Sequence, residues 1–178
     1  DVAAVLQTYK EGNTWKAELL FADGKTETVS LKRNAEWDNN NDDTYASGEV
    51  PTIDAYSAYE NTTEAPEKAI ALVSYTKSGD SYKLQTIAKN VNPTSYKHVH
   101  VATTNKVKND RMTSGDTKYI DDNAVVFVRY KSGTEYKFSV QTGKSMKSWS
   151  DKKSFRSVVL SNESNSINYA KVVLADMG

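Results

Sequence analysis

The chain alternates short runs of β-branched and aromatic residues with clusters of glycine, asparagine, aspartate and serine, a pattern typical of strands joined by turns. No segment keeps the 3.6-residue period of an amphipathic helix over several turns. Strands are predicted over residues 2–9, 15–21, 26–31, 69–75, 82–88, 96–102, 124–130, 136–141, 156–160 and 167–174. The sequence therefore predicts an all-β fold built from antiparallel strands and hairpins.

One local motif occurs three times, beginning at Tyr9, Tyr75 and Tyr130. In each copy an apolar strand ends in tyrosine, the chain turns at glycine, and an aromatic residue follows three positions after that glycine. Glycine can supply the left-handed turn position, and the two aromatic residues could contact each other across the strands. The lysines of the motif are expected to face water and protect the sheet edge. The motif thus predicts three β-hairpins.

The copies are unequally spaced, which excludes a short-period solenoid. Residues 90–93, Asn-Val-Asn-Pro, interrupt the strand pattern and suggest a boundary. We predict two β modules, 1–90 and 91–178, forming two small barrel-like or sandwich halves; the alternative is one extended sandwich. The first module would carry a long irregular loop, 34–67. The residues predicted to be buried are Val5, Leu19, Leu72, Leu84, Val126, Val128, Val159 and Val173.

The 34–67 loop contains four aromatic residues, Trp37, Tyr45, Tyr56 and Tyr59. Long loops on a β scaffold commonly carry binding residues, and exposed aromatic rings there could stack on sugars. Alternatively, the same rings could close the open end of a barrel. Both interpretations remain open at this stage, and the four residues are the candidate ligand-binding set.

The same loop contains a candidate calcium site. Asp38, Asn40 and Asp42 follow the alternating spacing of oxygen ligands in a calcium loop, and Glu49 falls at the twelfth position. Asp43 stands where such loops have glycine, and no flanking helices are predicted. The alternative is a solvated turn whose side chains hydrogen-bond to their own backbone. No other cofactor is expected.

The two histidines, His98 and His100, would point to the same face of a strand. With a further ligand from a neighbouring strand they could hold zinc or copper; otherwise they are two half-exposed residues on a solvent face. The sequence contains no Gly-x-Ser-x-Gly elbow, phosphate-binding glycine loop or dinucleotide fingerprint. Catalysis by a pair of carboxylates stays open, because acidic residues are plentiful, but their number makes the signal uninformative and we do not expect an enzyme.

Lys+Arg and Asp+Glu both number 23, so the formal net charge is zero. This balance argues against nucleic-acid binding, which depends on an excess of positive charge. No apolar run approaches the length of about 20 residues needed for a membrane helix, so membrane insertion is not expected. The absence of cysteine excludes disulfide scaffolds, zinc ribbons and thiol catalysis.

Residues 116–128, with a tyrosine, a short acidic link and the strand VVFV, resemble a phrase that recurs in large surface-layer-type proteins of Gram-positive anaerobic bacteria. Residues 136–146 and 169–175 fit the same resemblance. Proteins of this family are held to wall polysaccharide by surface-layer-homology repeats, and β modules make up much of their bulk. The resemblance implies a cell-surface location and a structural role, and it offers no catalytic residues.

These observations lead to one leading expectation and one alternative. Asp1 is not a translation start, so we expect the chain to be a processed product or a piece of a longer protein. The leading expectation is a non-catalytic structural or spacer module of an extracellular, cell-surface protein. The alternative is a module that binds carbohydrate or cell-wall polymer through the aromatic residues of the 34–67 loop.

Overall fold

A computed structural model describes residues 2–11, 14–31, 37–38, 71–78, 81–86, 96, 98–114, 118–149 and 154–177. The chain divides into two compact units, Asp1–Val91 and Asn92–Gly178. Within the described residues nearly all regular structure is strand, with one four-residue helix and one 3-10 turn. The predicted all-β fold is therefore confirmed.

The first unit is a six-stranded sheet with the strand order β3-β2-β1-β5-β6-β4. Its hairpins are β1–β2, β2–β3 and β5–β6, while β4 pairs with β6 in parallel. Although β3 and β6 are not neighbours in this order, their Cα atoms approach within 8 Å, so the sheet curls on itself. The strands are β1 (Val2–Glu11), β2 (Thr14–Leu20), β3 (Thr26–Leu31), β4 (Trp37–Asp38), β5 (Ala71–Ser78) and β6 (Ser81–Thr86).

The inner face of this sheet is lined by apolar residues from four strands. The Phe21 and Tyr75 rings pack edge to face beside it, with centroids 5.3 Å apart. A turn that contains Asp23 and Gly24 links β2 to β3, and Gly24 has the positive φ of 86° that favours glycine. The core residues are Val5, Ala17, Leu19, Val29 and Val73.

The second unit is a seven-stranded sheet with the order β7-β12-β13-β10-β9-β8, and β11 pairs with the second half of β10. The β10–β13 pair is parallel, an arrangement that the antiparallel prediction did not include. The strands are β7 (His98–Asn105), β8 (Val107–Lys108), β9 (Arg111–Met112), β10 (Lys118–Ser132), β11 (Glu135–Thr142), β12 (Phe155–Ser164) and β13 (Ile167–Asp176). The helix α1 (Gly143–Met146) and a 3-10 turn (Lys147–Trp149) follow β11.

Apolar residues are buried on both faces of this second sheet. One face forms a cluster around Val126, Val159 and Val173, against which Trp149 packs edge to face on Phe155. Phe127 and Leu174 are also fully buried. Of the eight residues predicted to be buried, seven are, and the side chain of Leu84 lies outside the described residues.

The three predicted hairpins are present. Their last paired residues are Glu11 with Thr14, Ser78 with Ser81, and Ser132 with Glu135. Gly133, in the third turn, has a φ of 64°.

The expected contact between the two aromatic residues is wrong for the third hairpin. Tyr130 lies opposite Lys137, and Tyr136 lies opposite Lys131. Tyr130 and Tyr136 therefore point to opposite faces, because adjacent strand residues alternate between faces. The two lysines are exposed, as expected.

The short helix α1, which the sequence did not predict, sits directly on β10. The hydroxyl oxygen of Thr142 accepts a hydrogen bond of 3.1 Å from the Ser145 amide and caps the helix. A Cβ on Gly143 would lie 1.8 Å from the carbonyl oxygen of Asp121. Only glycine therefore permits the helix to pack this closely on the strand.

Replacing Gly143 by alanine should destabilise the protein by about 1–3 kcal/mol, because the helix must move away from the backbone of Asp121. Urea unfolding followed by circular dichroism measures this change. Lys144→Ala, at an exposed position of the same helix, is the matched control and should change stability by less than about 0.5 kcal/mol. Equal effects of the two substitutions would contradict the tight packing.

Candidate functional site

Of the residues predicted from the 34–67 loop, the structure describes only the backbone of Trp37 and Asp38. Trp37 and Asp38 form the two-residue strand β4, paired with Leu84 and Gln85, and their side chains lie outside the described residues. The aromatic site and the calcium site both stay predictions. The candidate residues that lie wholly outside the described part of the chain are Asn40, Asp42, Tyr45, Glu49, Tyr56 and Tyr59.

The two histidines lie on β7 and both are half-buried. Nε2 of His100 lies 3.4 Å from the hydroxyl oxygen of Ser114. Val99 and Val101, which alternate with the histidines along β7, are half-buried as well. Across the described ranges, no group of three or more His, Asp or Glu residues is placed to hold a metal ion.

The most unusual backbone feature of the second unit is a bulge in β10. Ile120 pairs with Ala170 and Val125 pairs with Val172, so four residues of β10 stand opposite Lys171 alone. Residues 121–124, Asp-Asp-Asn-Ala, form this acidic bulge. Its polar residues suit an interruption of the ladder because their side chains can hydrogen-bond to nearby backbone groups.

Two lysines neutralise the acidic bulge. Nζ of Lys171 donates a hydrogen bond to Asp121, and Nζ of Lys147 donates one of 2.7 Å to Asp122. The second carboxylate oxygen of Asp121 accepts a 2.8 Å hydrogen bond from the Asn123 amide. The hydrogen bond from Lys171, supported by the Asn123 amide, holds the pKa of Asp121 below its ordinary value.

Next to the acidic bulge lies a group that we call the tyrosine patch: Arg111, Tyr119, Tyr169 and Lys171. Tyr119 of β10 stands directly opposite Tyr169 of β13, with ring centroids 6.1 Å apart and planes tilted by 42°. The guanidinium carbon of Arg111 lies 5.3 Å from the Tyr119 ring centroid, and Nζ of Lys171 lies 6.0 Å from that of Tyr169. A cation, two rings and a second cation thus form a row across three strands.

The tyrosine patch is open to solvent in part. Both rings are half-buried, and the side chains of Arg111 and Lys171 are 44% and 37% exposed. Tyr96 lies within the electrostatic influence of Lys171: burial raises the pKa of Tyr96, and the positive charge of Lys171 partly offsets that rise. The patch therefore combines partly exposed aromatic surface with several hydrogen-bonding groups.

A second polar cluster lies fully buried, at the C-terminal end of β13. Nη1 of Arg129 donates to both carboxylate oxygens of Asp176, at 2.8 and 3.1 Å, and neither side chain is exposed. The guanidinium carbon of Arg129 lies 3.7 Å from the Tyr136 ring centroid. Removing one partner of such a buried pair commonly costs about 3–5 kcal/mol, because an uncompensated charge is left behind. This pair fixes the end of β13 to β10.

None of these side chains was predicted from the sequence to be part of a site. Tyr119 and Tyr169 were both present in segments 116–128 and 169–175, which carry the family resemblance. Knowledge of the parallel pairing of β10 with β13 would have identified the two tyrosines as neighbours, because this pairing puts them opposite each other.

Comparison with known proteins found no similar protein. No family model, curated protein or solved structure matches the chain. Over the described ranges, the structure contains no helix with the length and apolar character needed to cross a membrane.

The Asp121–Lys171 pair should make stability depend on pH. Because the folded state lowers the pKa of Asp121, its contribution is present above the unfolded pKa of about 4 and is lost as pH falls through the folded value. The free energy of unfolding of Asp121→Asn should thus lie below that of the native protein at pH 7, and the difference should shrink below about pH 4. Urea unfolding at a series of pH values tests this.

Asp122→Asn is the matched control, because it changes the neighbouring carboxylate of the same bulge, whose side chain is 60% exposed. We expect this substitution to have a small effect throughout. A difference between Asp121→Asn and the native protein that stays constant from pH 7 to pH 2.5 would contradict the role assigned to Asp121.

Proposed function

We propose that this chain is a non-catalytic structural or spacer module of a bacterial cell-surface protein. The observation that supports this proposal is the path of the chain through the second unit. β7 is antiparallel to β12, and β12 is antiparallel to β13, so the first and last strands of the unit are parallel. The chain enters the sheet at one end, at His98, and leaves it at the other, at Asp176.

This path separates the point where the chain enters the sheet from the point where it leaves it. His98 lies level with Ser161 and Ala170, and six further residues of β13 lead to Asp176. At about 3.3 Å per residue the chain advances by about 20 Å along the strands. A unit whose chain returned to its starting end would add little to the distance between its neighbours. A unit whose chain enters at one end of the sheet and leaves at the other suits a spacer.

The compactness of the two units supports the same proposal. Each unit has its own buried apolar cluster, so each can hold its shape by itself. The resemblance of residues 116–175 to the β modules of surface-layer-type proteins supports the location at the cell surface, with wall polysaccharide as the anchoring partner of the whole protein.

The cell-surface role can be tested on intact cells that produce the protein. Brief protease treatment followed by mass spectrometry should release peptides of this chain without lysis, together with peptides of known surface proteins. A cytoplasmic marker protein monitors leakage. If peptides of this chain are released only after the cells are lysed, the proposed location is wrong.

A second candidate function, carbohydrate or cell-wall-polymer binding, is favoured by the tyrosine patch. Tyr119 and Tyr169 offer two partly exposed rings, and Arg111, Lys171 and Asp121 surround them with donors and acceptors. Rings beside hydrogen-bonding groups can contact the apolar faces and the hydroxyls of a sugar together. The aromatic residues of the 34–67 loop are the second proposed location for such binding.

A binding assay against insoluble polysaccharides and purified cell walls separates these locations. We expect Tyr119→Ala and Tyr169→Ala to abolish retention if the tyrosine patch binds, and Trp37→Ala to do so if the loop binds. Assays with calcium and with chelator test the predicted calcium site of the loop. Lys131→Ala, at an exposed hairpin position, is the control and should bind normally. Absence of retention for the native chain under all conditions would exclude this second function.

A further inference from the structure

We infer that the second unit is built to resist tension applied along the chain. This inference rests on the proposed spacer function, because a spacer between an anchor and an outer region transmits any force that pulls them apart. Two features carry this inference: the direction in which the β7–β12 ladder is stressed, and the buried side chain of Asn105, which holds β7 in place.

Tension between the two ends of the unit acts along the strands. β7 would be pulled from its N-terminal end at His98, and β13 would be pulled from its C-terminal end at Asp176, in the opposite direction. Since β7, β12 and β13 are hydrogen-bonded neighbours, the force tries to slide them past one another. In this shear geometry the hydrogen bonds of a ladder are stressed together, whereas peeling breaks them one after another.

The β7–β12 ladder is the one that should yield first. In the described sheet β7 is the terminal strand and pairs with β12, while β13 is paired with β12 on one side and with β10 on the other. The end of β13 is also held by the buried Arg129–Asp176 pair and by the Met177 amide, which donates a 2.8 Å hydrogen bond to the Arg129 carbonyl. The resistance of the unit therefore depends on β7.

Asn105, the last residue of β7, anchors that strand. Its side chain is 1% exposed and its Nδ2 donates a 3.0 Å hydrogen bond to the hydroxyl oxygen of Ser157 on β12. Nδ2 also contacts the sulfur of Met112 at 3.6 Å. Its Oδ1 accepts hydrogen bonds from the amides of Lys106 and Ser114, at 2.9 and 3.2 Å.

This arrangement resists sliding. A shift of β7 toward its N-terminal end would draw the Asn105 side chain out of a buried site and break its contacts with Ser157, Met112 and Ser114 in one event. Peeling from His98 would instead reach Asn105 after the rest of the ladder had opened. Asn105 should therefore contribute to mechanical resistance in shear and contribute little when the strand is peeled.

Single-molecule force spectroscopy on the full chain can test both statements. The chain has no cysteine, so two introduced cysteines provide unique attachment points. Attachment through Asn92→Cys and Gly178→Cys stresses the β7–β12 ladder in shear. Attachment through Asn92→Cys and Ser164→Cys peels β7, because Ser164 ends β12 at the same end of the sheet as His98. We expect the shear pair to need a several-fold higher rupture force.

Substitutions then identify the anchor. Asn105→Ala should lower the rupture force of the shear pair and leave that of the peeling pair unchanged. Ser157→Ala, which removes one of the Asn105 hydrogen bonds, should act in the same direction with a smaller effect, and it remains informative if Asn105→Ala fails to fold. Thr103→Ala, at an exposed position of the same strand, is the control and should leave both forces unchanged.

Two outcomes would overturn the inference: equal rupture forces for the two attachment pairs, or an Asn105→Ala effect of the same size in both. Either result is distinguishable from failure of the proposed function, which the protease experiment on intact cells addresses by itself. If the chain is exposed on the cell surface but the two attachment pairs rupture at equal forces, the chain is a spacer without special resistance to tension.

Discussion

The backbone hydrogen bonds on both sides of β13 determine the architecture of the second unit. They join this strand to β12 in antiparallel and to β10 in parallel, and its apolar residues 172–175 are buried on both faces. The register of both ladders shifts at Lys171. On the β12 side Leu160 pairs with Val172 and the next residue, Ser161, pairs with Ala170, while on the β10 side the acidic bulge places four residues opposite Lys171.

The acidic bulge links features that are far apart in the sequence. Lys171 of β13 binds Asp121, Lys147 of the 3-10 turn binds Asp122, and the carbonyl of Asp121 leaves room at Gly143 for nothing larger than hydrogen. The tyrosine patch begins at the same place, since Lys171 also lies near the Tyr169 ring. One irregularity in a strand therefore positions a helix, two ion pairs and the partly exposed tyrosine patch.

The positions of strands and hairpins could be predicted from the local sequence. The pairing of strands that are distant in the sequence could not. Glycine turns located the hairpins, and apolar runs located most of the core. The strand predicted at 124–130 in fact spans Lys118–Ser132, because Asp121, Asp122 and Asn123 have the composition of a turn although they form a bulge within the strand. Strands β4, β8 and β9 are two residues long and too short to show any alternation. The tyrosine patch joins residues from β9, β10 and β13, and single-strand patterns contain no information about which strands become neighbours.

The parallel β10–β13 pair has a consequence for how the second unit folds. Hairpins such as β10–β11 and β12–β13 close over two-residue turns and can form early, because little chain entropy is lost. The ion pair of Arg129 and Asp176 joins residues 47 positions apart, and the strands around it can meet only after the intervening chain has been ordered. We expect docking of the two hairpins to limit the folding rate, as in topologies dominated by non-local contacts. The same docking would bring Arg129 out of water as its partner arrives, so the buried pair would form late and hold the completed sheet together.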